Sequence, residues 1–201
     1  MQKKGLILFE RSRSVCSEFE KAGLEMYSMD ILPALKQSPN HIIGDCFNLN
    51  IEFLKQFDFI GAHPPCTYLT FANCGGKRNY CNRSGYRGIE TDIAIFRFNQ
   101  IFDLIKKLDK PGYIENPPFN PYCQKLLPIS NTLLRSDSFN YESKKYFQLF
   151  LNHLPPLISS GYHPGPYNKG IEKYSSKDKI SRNFFPEEIS KAMVNQWLKY
   201  I

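Results

Sequence analysis

The sequence predicts an α/β fold, with a mostly parallel central sheet flanked by helices. Three observations carry that expectation. Residues 4–9 and 57–62 are short apolar runs without polar alternation, as in strands covered on both faces. Stretches of helical spacing follow the strand-like runs: residues 14–22 have apolar side chains at 15, 16, 19 and 22, and Gly23 then stops the pattern as a C-cap would. Several runs end on a proline or an aspartate, so polar chemistry collects at one end of the strands.

Taken in order, residues 4–9, 14–22 and 25–29 form a β-α-β unit ending in Asp30. The right-handed crossover places residues 11–14 and Asp30 together at the carboxyl ends of neighbouring strands. Asp30 there suits acceptance from ribose hydroxyls, or the N-cap of a helical turn over residues 31–35. Residues 41–45 read as a short strand ending in Gly44-Asp45, with Asp45 either accepting from an adenine amino group or serving as a turn aspartate. The strand over residues 57–62 is stopped by His63-Pro64-Pro65, which delivers Cys66 to the same edge. Taken alone, that stretch is also consistent with a rigid turn holding a small packing cysteine.

A long loop over residues 67–89 precedes a helix over 91–108, whose apolar positions 93, 96, 98, 101, 102, 104, 105 and 108 are mostly core-facing. Residues 111–116 form a strand stopped by Pro117-Pro118, delivering Glu115 and Asn116 beside Cys66. Residues 119–134 mix helix-like and turn-like pieces, 146–151 and 157–159 are weak strand candidates, and 160–176 read as a loop. A last helix spans residues 186–198, with proline at its start and acids in its first turn. The 201 residues are expected to form one domain, with a basic and aromatic loop at about 67–89 and an irregular segment at about 119–180.

Composition excludes several classes. A hydrophobic fraction of 42% argues against disorder, and no apolar run approaches the ~20 residues that span a bilayer. The amino-terminal apolar run is too short for a signal peptide and reads as a first strand of a cytosolic protein. Six cysteines at irregular spacing, without a C-x2-C pair, are expected as thiols and not as a disulfide framework or a zinc site. The net charge of +7 is uneven: no acid lies between Asp58 and Glu90, where Lys77, Arg78, Arg83 and Arg87 alternate with Tyr68, Phe71, Tyr80 and Tyr86. Basic and aromatic residues in one loop suit phosphates and base faces, so these four cations are candidates for nucleic-acid binding. A second acid-free run lies between Glu142 and Glu172.

A thiol, an acid with a neighbouring amide and two nucleoside-binding acids thus converge on one sheet edge. Methylation at carbon 5 of a pyrimidine needs that set. The carbon is too weakly nucleophilic until a thiolate adds at carbon 6, and a carboxyl at the N3 edge stabilises the adduct.

On these residues the chain resembles the DNA cytosine-5 methyltransferase family, in particular the short phage- and bacteria-type DNA methylases without a large target-recognition domain. His63-Pro-Pro-Cys-Thr-Tyr-Leu69 resembles the Pro-Cys motif, and Ile114-Glu-Asn-Pro117 the Glu-Asn motif with proline in place of valine. Phe9, Glu10, Ser12, Val15, Phe19, Gly23 and Asp30-Ile-Leu-Pro33 resemble the amino-terminal motif, and Gly44-Asp45 the adenine-contacting one. Glu142, Lys144, Leu154-Pro-Pro-Leu157, Ser181-Arg182, Phe185-Pro186 and Gln196-Trp197 are similar to the carboxyl half of the short proteins.

The resemblance implies a class I S-adenosylmethionine-dependent, Rossmann-like methyltransferase fold. It makes Cys66 the nucleophile, Glu115 the acid at the base, and Asn116 and Arg182 further members of the catalytic set. Phe9, Glu10, Ser12, Asp30, Ile31, Asp45 and Pro64 would line the S-adenosyl-L-methionine site. The implied substrate is DNA, with a free pyrimidine nucleotide or an inactive nucleic-acid-binding protein as alternatives, in a homo-oligomer or with a partner subunit. One position departs from the pattern: Arg13 stands where the short proteins show glycine, and a side chain there is expected to crowd the cofactor or to favour another anionic ligand.

Overall fold

The computed structural model describes residues 2–71, 84–142, 144–163, 165 and 185–201. Among them, seven strands form one sheet in the order β3-β2-β1-β4-β5-β7-β6. The strands are β1 (Lys4–Leu8), β2 (Glu25–Asp30), β3 (His41–Ile43), β4 (Phe59–Ala62), β5 (Gly112–Asn116), β6 (Thr132–Arg135) and β7 (Tyr146–Asn152). The neighbours from β3 to β5 pair in parallel, while β7 runs antiparallel to both β5 and β6. This is the Rossmann-like class I methyltransferase architecture that the motifs implied.

The sheet separates two apolar layers, and single strands feed both. Ile7, Phe59 and Tyr113 pack on one side with α1 (Ser14–Lys21) and α4 (Glu187–Trp197), around the fully buried Trp197. Leu6, Leu8, Ile60 and Ile114 pack on the other side with α3 (Ile89–Lys107), where Phe98 and Ile101 are buried. Alternating orientation along a strand, with both faces dry, explains why β1, β4 and β5 appear in the sequence as unbroken apolar runs. At Gly61 a Cβ would come within 2.5 Å of the Tyr113 ring, so only glycine lets Tyr113 lie against β4.

Four expectations change. Residues 157–159 form no strand; the Ile158 backbone N–H and C=O instead meet the Gln196 side-chain amide, at 2.8 Å each. β6 arises inside the stretch that resisted reading, as an edge strand in which only Leu134 is buried. Residues 31–35 form no helix; Leu32 N–H bonds the Asp30 carboxylate in an Asx turn. On α3, Ile93 and Phe96 are 45% and 70% exposed, because the buried face runs through Ile95, Phe98, Ile101 and Ile105. Phe96 borders a groove of about 480 Å³ lined also by Leu49, Gln100, Asp103 and Lys107, on the flank of α3 away from Cys66. α2 (Ile51–Leu54) is a single turn before β4, capped by Asn50. No helix among the described residues is long and apolar enough to cross a membrane.

Candidate active site at the carboxyl edge of the sheet

β1 and β4 are adjacent, and their chain connections leave in opposite directions along the sheet. In open α/β sheets such a reversal marks where a ligand crevice forms, at the carboxyl ends of the strands. Asp30 and Asp45 lie on one side of it, at the ends of β2 and β3. Cys66, Glu115 and Asn116 lie on the other, at the ends of β4 and β5.

Two proline-stopped segments are tied together here. Asn116, fully buried, donates from Nδ2 to the Pro64 carbonyl at 3.0 Å, joining positions 52 apart in sequence. Its Oδ1 is buried without a partner in the structure. Asn116→Ala is expected to cost about 1–3 kcal/mol in urea denaturation, the usual loss for a buried hydrogen bond whose partner is left unpaired.

Cys66 is half-buried at the head of a tight turn, its carbonyl accepting from Leu69 N at 3.0 Å and Thr70 N at 3.2 Å. Burial pushes its thiol up, and the charge of Glu115 adds to that, while the Thr70 hydroxyl and Arg87 pull the other way. Glu115 is nearly buried, with Oε1 unpartnered, and loss of solvation lifts its carboxyl to about 8, opposed only by the charge of Lys145. It therefore holds its proton at neutral pH. Glu115 comes after Tyr113 on the same face of β5, so it projects toward the α1 and α4 layer.

His63 precedes the Cys66 turn and carries no charge near neutrality. Its Nε2 shares a hydrogen bond of 2.8 Å with the Tyr113 hydroxyl, and its ring stacks on Phe185 at 5.3 Å. Burial lowers the imidazole from 6.5 to about 4. Below pH 6.5 the unfolded chain gains a proton that the folded ring refuses, so stability present above 6.5 is lost as pH falls toward 4. The melting temperature of wild type is thus expected to drop across that window more steeply than that of His63→Gln.

At the end of β1, Glu10 is committed to the fold. Its carboxylate accepts from Val15 N at 2.8 Å and Ser14 Oγ at 3.2 Å, capping α1 in place of Arg13, whose side chain makes no cap. Burial raises the Glu10 carboxyl despite those bonds. Ser12 and Ser14 hydroxyls pair at 3.1 Å beside it. Phe9 takes a left-handed conformation at the end of β1, and its ring packs on Phe47 at 4.9 Å. Phe47 N–H in turn donates to Asp45 at 2.9 Å, so Asp45 is both a turn aspartate and part of the crevice rim. Ile31 is exposed directly after Asp30.

Arg13 does not crowd the crevice. It adopts the left-handed backbone, φ 58°, that glycine would supply, and its side chain is buried between α1 and β2. Arg87 is likewise engaged internally: its guanidinium donates to the Thr67 carbonyl and, at 3.4 Å, to that of Thr70, and it lies 4.7 Å from the Tyr68 ring centroid. It braces the turn after Cys66. Lys77, Arg78, Arg83 and Arg182 lie outside the described residues, as do Cys74 and Cys81.

Sequence reasoning missed Asn120. Its N–H donates to the Leu69 carbonyl at 2.8 Å, its Oδ1 accepts from Tyr122 N and Cys123 N, and its Nδ2 donates to the Gly85 carbonyl. One buried amide thereby joins the Cys66 turn, the end of the basic loop and the segment after β5. Gly85 must be glycine for this approach, since a Cβ would meet Asn120 at 2.5 Å on a backbone of φ +86°. The available signal was an asparagine just before Pro121, a turn-forming pair.

A buried acid and a half-buried thiol thus share one edge of a Rossmann-like sheet with carboxylates at the ends of two adjacent strands. Comparison with known proteins agrees with the resemblance to DNA methyltransferases. Over 151 residues, 67% of this chain, the sequence is 33% identical to the Type II methyltransferase M1.HgaI of Avibacterium volantium. The match covers 37% of that protein, so the chain spans little more than a third of its relative's length. No family model matches. Among solved structures it is similar to a putative DNA modification methyltransferase encoded within an E. coli prophage, with TM-score 0.48, 15% identity, 75% of this chain and 46% of that one. It is also similar to a Spodoptera frugiperda DNMT2 mutant, with TM-score 0.43, 16% identity, 75% of this chain and 50% of that one.

Proposed function

We propose that the chain is a DNA methyltransferase that modifies carbon 5 of cytosine through a covalent Cys66 adduct. The observation that carries this reading is the placement of Cys66 and the buried Glu115 carboxyl at the ends of adjacent β4 and β5, tied together by Asn116 on Pro64; burial raises that carboxyl, which favours its protonated form. A protonated Glu115 can donate to N3 of a cytosine while the Cys66 thiolate adds at carbon 6. The electron pair of the 5,6 double bond then becomes available at carbon 5. S-adenosyl-L-methionine supplies the methyl group when bound. Loss of the carbon 5 proton and departure of the thiolate restore the ring and free the enzyme.

The residues present fit that cofactor. Asp30 and Asp45 stand at the ends of adjacent strands, and the Arg13 side chain that threatened the site is folded away from it. Phe9, Ser12, Ile31 and Pro64 complete the rim, and Glu10 acts behind it by fixing the start of α1. With Arg13 consumed internally, the alternative of an anion trap built on that loop loses its main support.

The cytosine must leave the stack before a ring carbon can be reached. Lys77, Arg78 and Arg83 are proposed to hold the phosphates of the flipped strand, and Arg182 to steady the base or its phosphate. A second substrate reading is a free pyrimidine nucleotide, whose phosphates the same cations would suit. One experiment separates these readings. The protein is incubated with methyl-labelled S-adenosyl-L-methionine and either duplex DNA or dCTP, and the product nucleosides are resolved. The proposal expects 5-methylcytosine from DNA. Label on an exocyclic amine or on adenine defeats the cytosine-5 assignment, and 5-methylcytosine from dCTP alone moves the substrate to the free nucleotide.

A further inference from the structure

The β1–α1 turn carries arginine where glycine is expected, and that arginine is built into the molecule at both ends of its guanidinium. Nη2 faces the helix side, pairing with Glu20 and reaching the Met26 carbonyl at 3.4 Å. Nη1 faces the other way, donating to Ser28 Oγ at 3.0 Å and to the Asn40 carbonyl at 3.1 Å. Ser28 Oγ also meets His41 Nδ1 at 2.9 Å, and His41 Nε2 meets the Leu32 carbonyl at 2.9 Å. A carbonyl only accepts, so Nε2 carries the ring hydrogen. In the neutral ring Nδ1 then accepts from the Ser28 hydroxyl, whose lone pair takes the Arg13 proton. The bonds therefore run in one direction, from Arg13 through Ser28 and His41 to Leu32.

Both ends of this relay hold the same segment, residues 31–40, which follows Asp30. Arg13 fixes its exit at Asn40, and His41 fixes its entry at Leu32. Arg11 adds a third point, its carbonyl accepting from Leu35 N at 2.9 Å. The segment has no helix or strand of its own, and Ile31 and Leu32 are exposed at its start. Beyond these, a backbone bond from Ser28 N–H to the Asn40 carbonyl at 3.0 Å and the Asx turn at Asp30 hold the segment's ends, and the relay adds side-chain anchors to both.

We propose that Arg13 is a positioning residue for the cofactor, acting through the Ser28–His41 relay to hold residues 31–40 as a preformed wall of the nucleoside crevice. The inference rests on the S-adenosyl-L-methionine reading above. Its physical content is preorganisation: if the closed segment falls to about a tenth of the population, apparent affinity falls about tenfold. The side chain that replaced glycine then supports the crevice from behind.

The test uses the full chain and S-adenosylhomocysteine as probe, read by calorimetry, with amide hydrogen exchange of residues 31–40 measured without ligand. Arg13→Gly keeps the left-handed turn and removes the relay; it is expected to weaken binding about tenfold or more and to speed exchange in the segment. Ser28→Ala, which leaves the Glu20 pair intact, is expected to act the same way more weakly, about threefold, and serves if Arg13→Gly fails to fold. Glu20→Gln removes only the helix-side partner and is expected to change affinity by less than about twofold. Arg13→Gly or Ser28→Ala binding like wild type, or loosening by Glu20→Gln equal to theirs, overturns the inference. A wild type that binds no S-adenosylhomocysteine defeats the cofactor reading instead, and unchanged exchange of residues 31–40 in Ser28→Ala then rejects the anchoring itself.

Discussion

Replacing Cys66 with alanine or serine is expected to abolish methyl transfer while leaving the fold and DNA affinity close to wild type. The position is only half-buried, and its turn is held by backbone bonds to Leu69 and Thr70, by Arg87 on the Thr67 and Thr70 carbonyls, and by Asn116 on Pro64. None of those bonds uses the sulfur as their anchor. Stability should therefore move by less than about 1 kcal/mol, as for substitutions outside a packed core. Activity should fall by about 10⁴-fold or more, because without a nucleophile at carbon 6 the ring offers no reactive carbon 5. Labelled methyl transfer and DNA retention, measured on the same preparation, separate the two effects.

Glu115→Gln is expected to lose catalysis and gain alkaline stability. The carboxyl titrates at about 8 in the folded chain against an ordinary 4.5, because β5 carries it into the apolar layer. Between those values the unfolded chain has lost a proton that the folded one keeps. Its stabilising contribution is full below pH 4.5, declines as pH rises, and is gone above pH 8. With about 1.4 kcal/mol for each pH step between the two values, the swing has an upper figure on the order of 5 kcal/mol. Glutamine cannot ionise, so the variant's melting temperature should stay flat from pH 6.5 to pH 8 while that of wild type falls. Turnover should drop about 10²- to 10⁴-fold, the usual worth of a positioned acid.

The same pair shapes the pH–rate profile. The reacting form has the proton on Glu115 and none on Cys66. A charged Glu115 raises the thiol, so neutralising it favours the thiolate. The rate should climb with pH up to about 8, level off as Glu115 loses its proton while the thiol is still ionising, and fall only above the raised value of the thiol.

Much of this scaffold was legible because buried parallel strands have a plain signature. β1, β4 and β5 are apolar on both faces and end at a charge or at proline, so their extents and the placing of Cys66 and Glu115 at their ends followed from spacing alone. β6 was hidden because an edge strand with a single buried residue, Leu134, has almost no pattern to display. Ile93 and Phe96 misled for the opposite reason: apolar residues at helical spacing were counted as core, yet they lie outside the face that meets the sheet.

The sites divide similarly. Residue type reveals a thiol or a carboxyl, but not the direction of a long side chain. Arg13 and Arg87 each read as outward cations, and each turns inward to brace backbone carbonyls. Asn120 links segments distant in sequence through its backbone N–H on Leu69 and its side-chain amide on Gly85, and no local pattern reports such contacts.

The central claim is the covalent step at Cys66. Mixing the protein with S-adenosyl-L-methionine and duplex DNA carrying 5-fluorocytosine blocks release, because fluorine cannot leave carbon 5 as the proton does. The account predicts a complex that survives denaturing electrophoresis, with the DNA mapped by mass spectrometry to the peptide containing Cys66, and none with Cys66→Ser. Methyl transfer to cytosine in ordinary DNA with no such complex, or a complex that persists in Cys66→Ser, would contradict it.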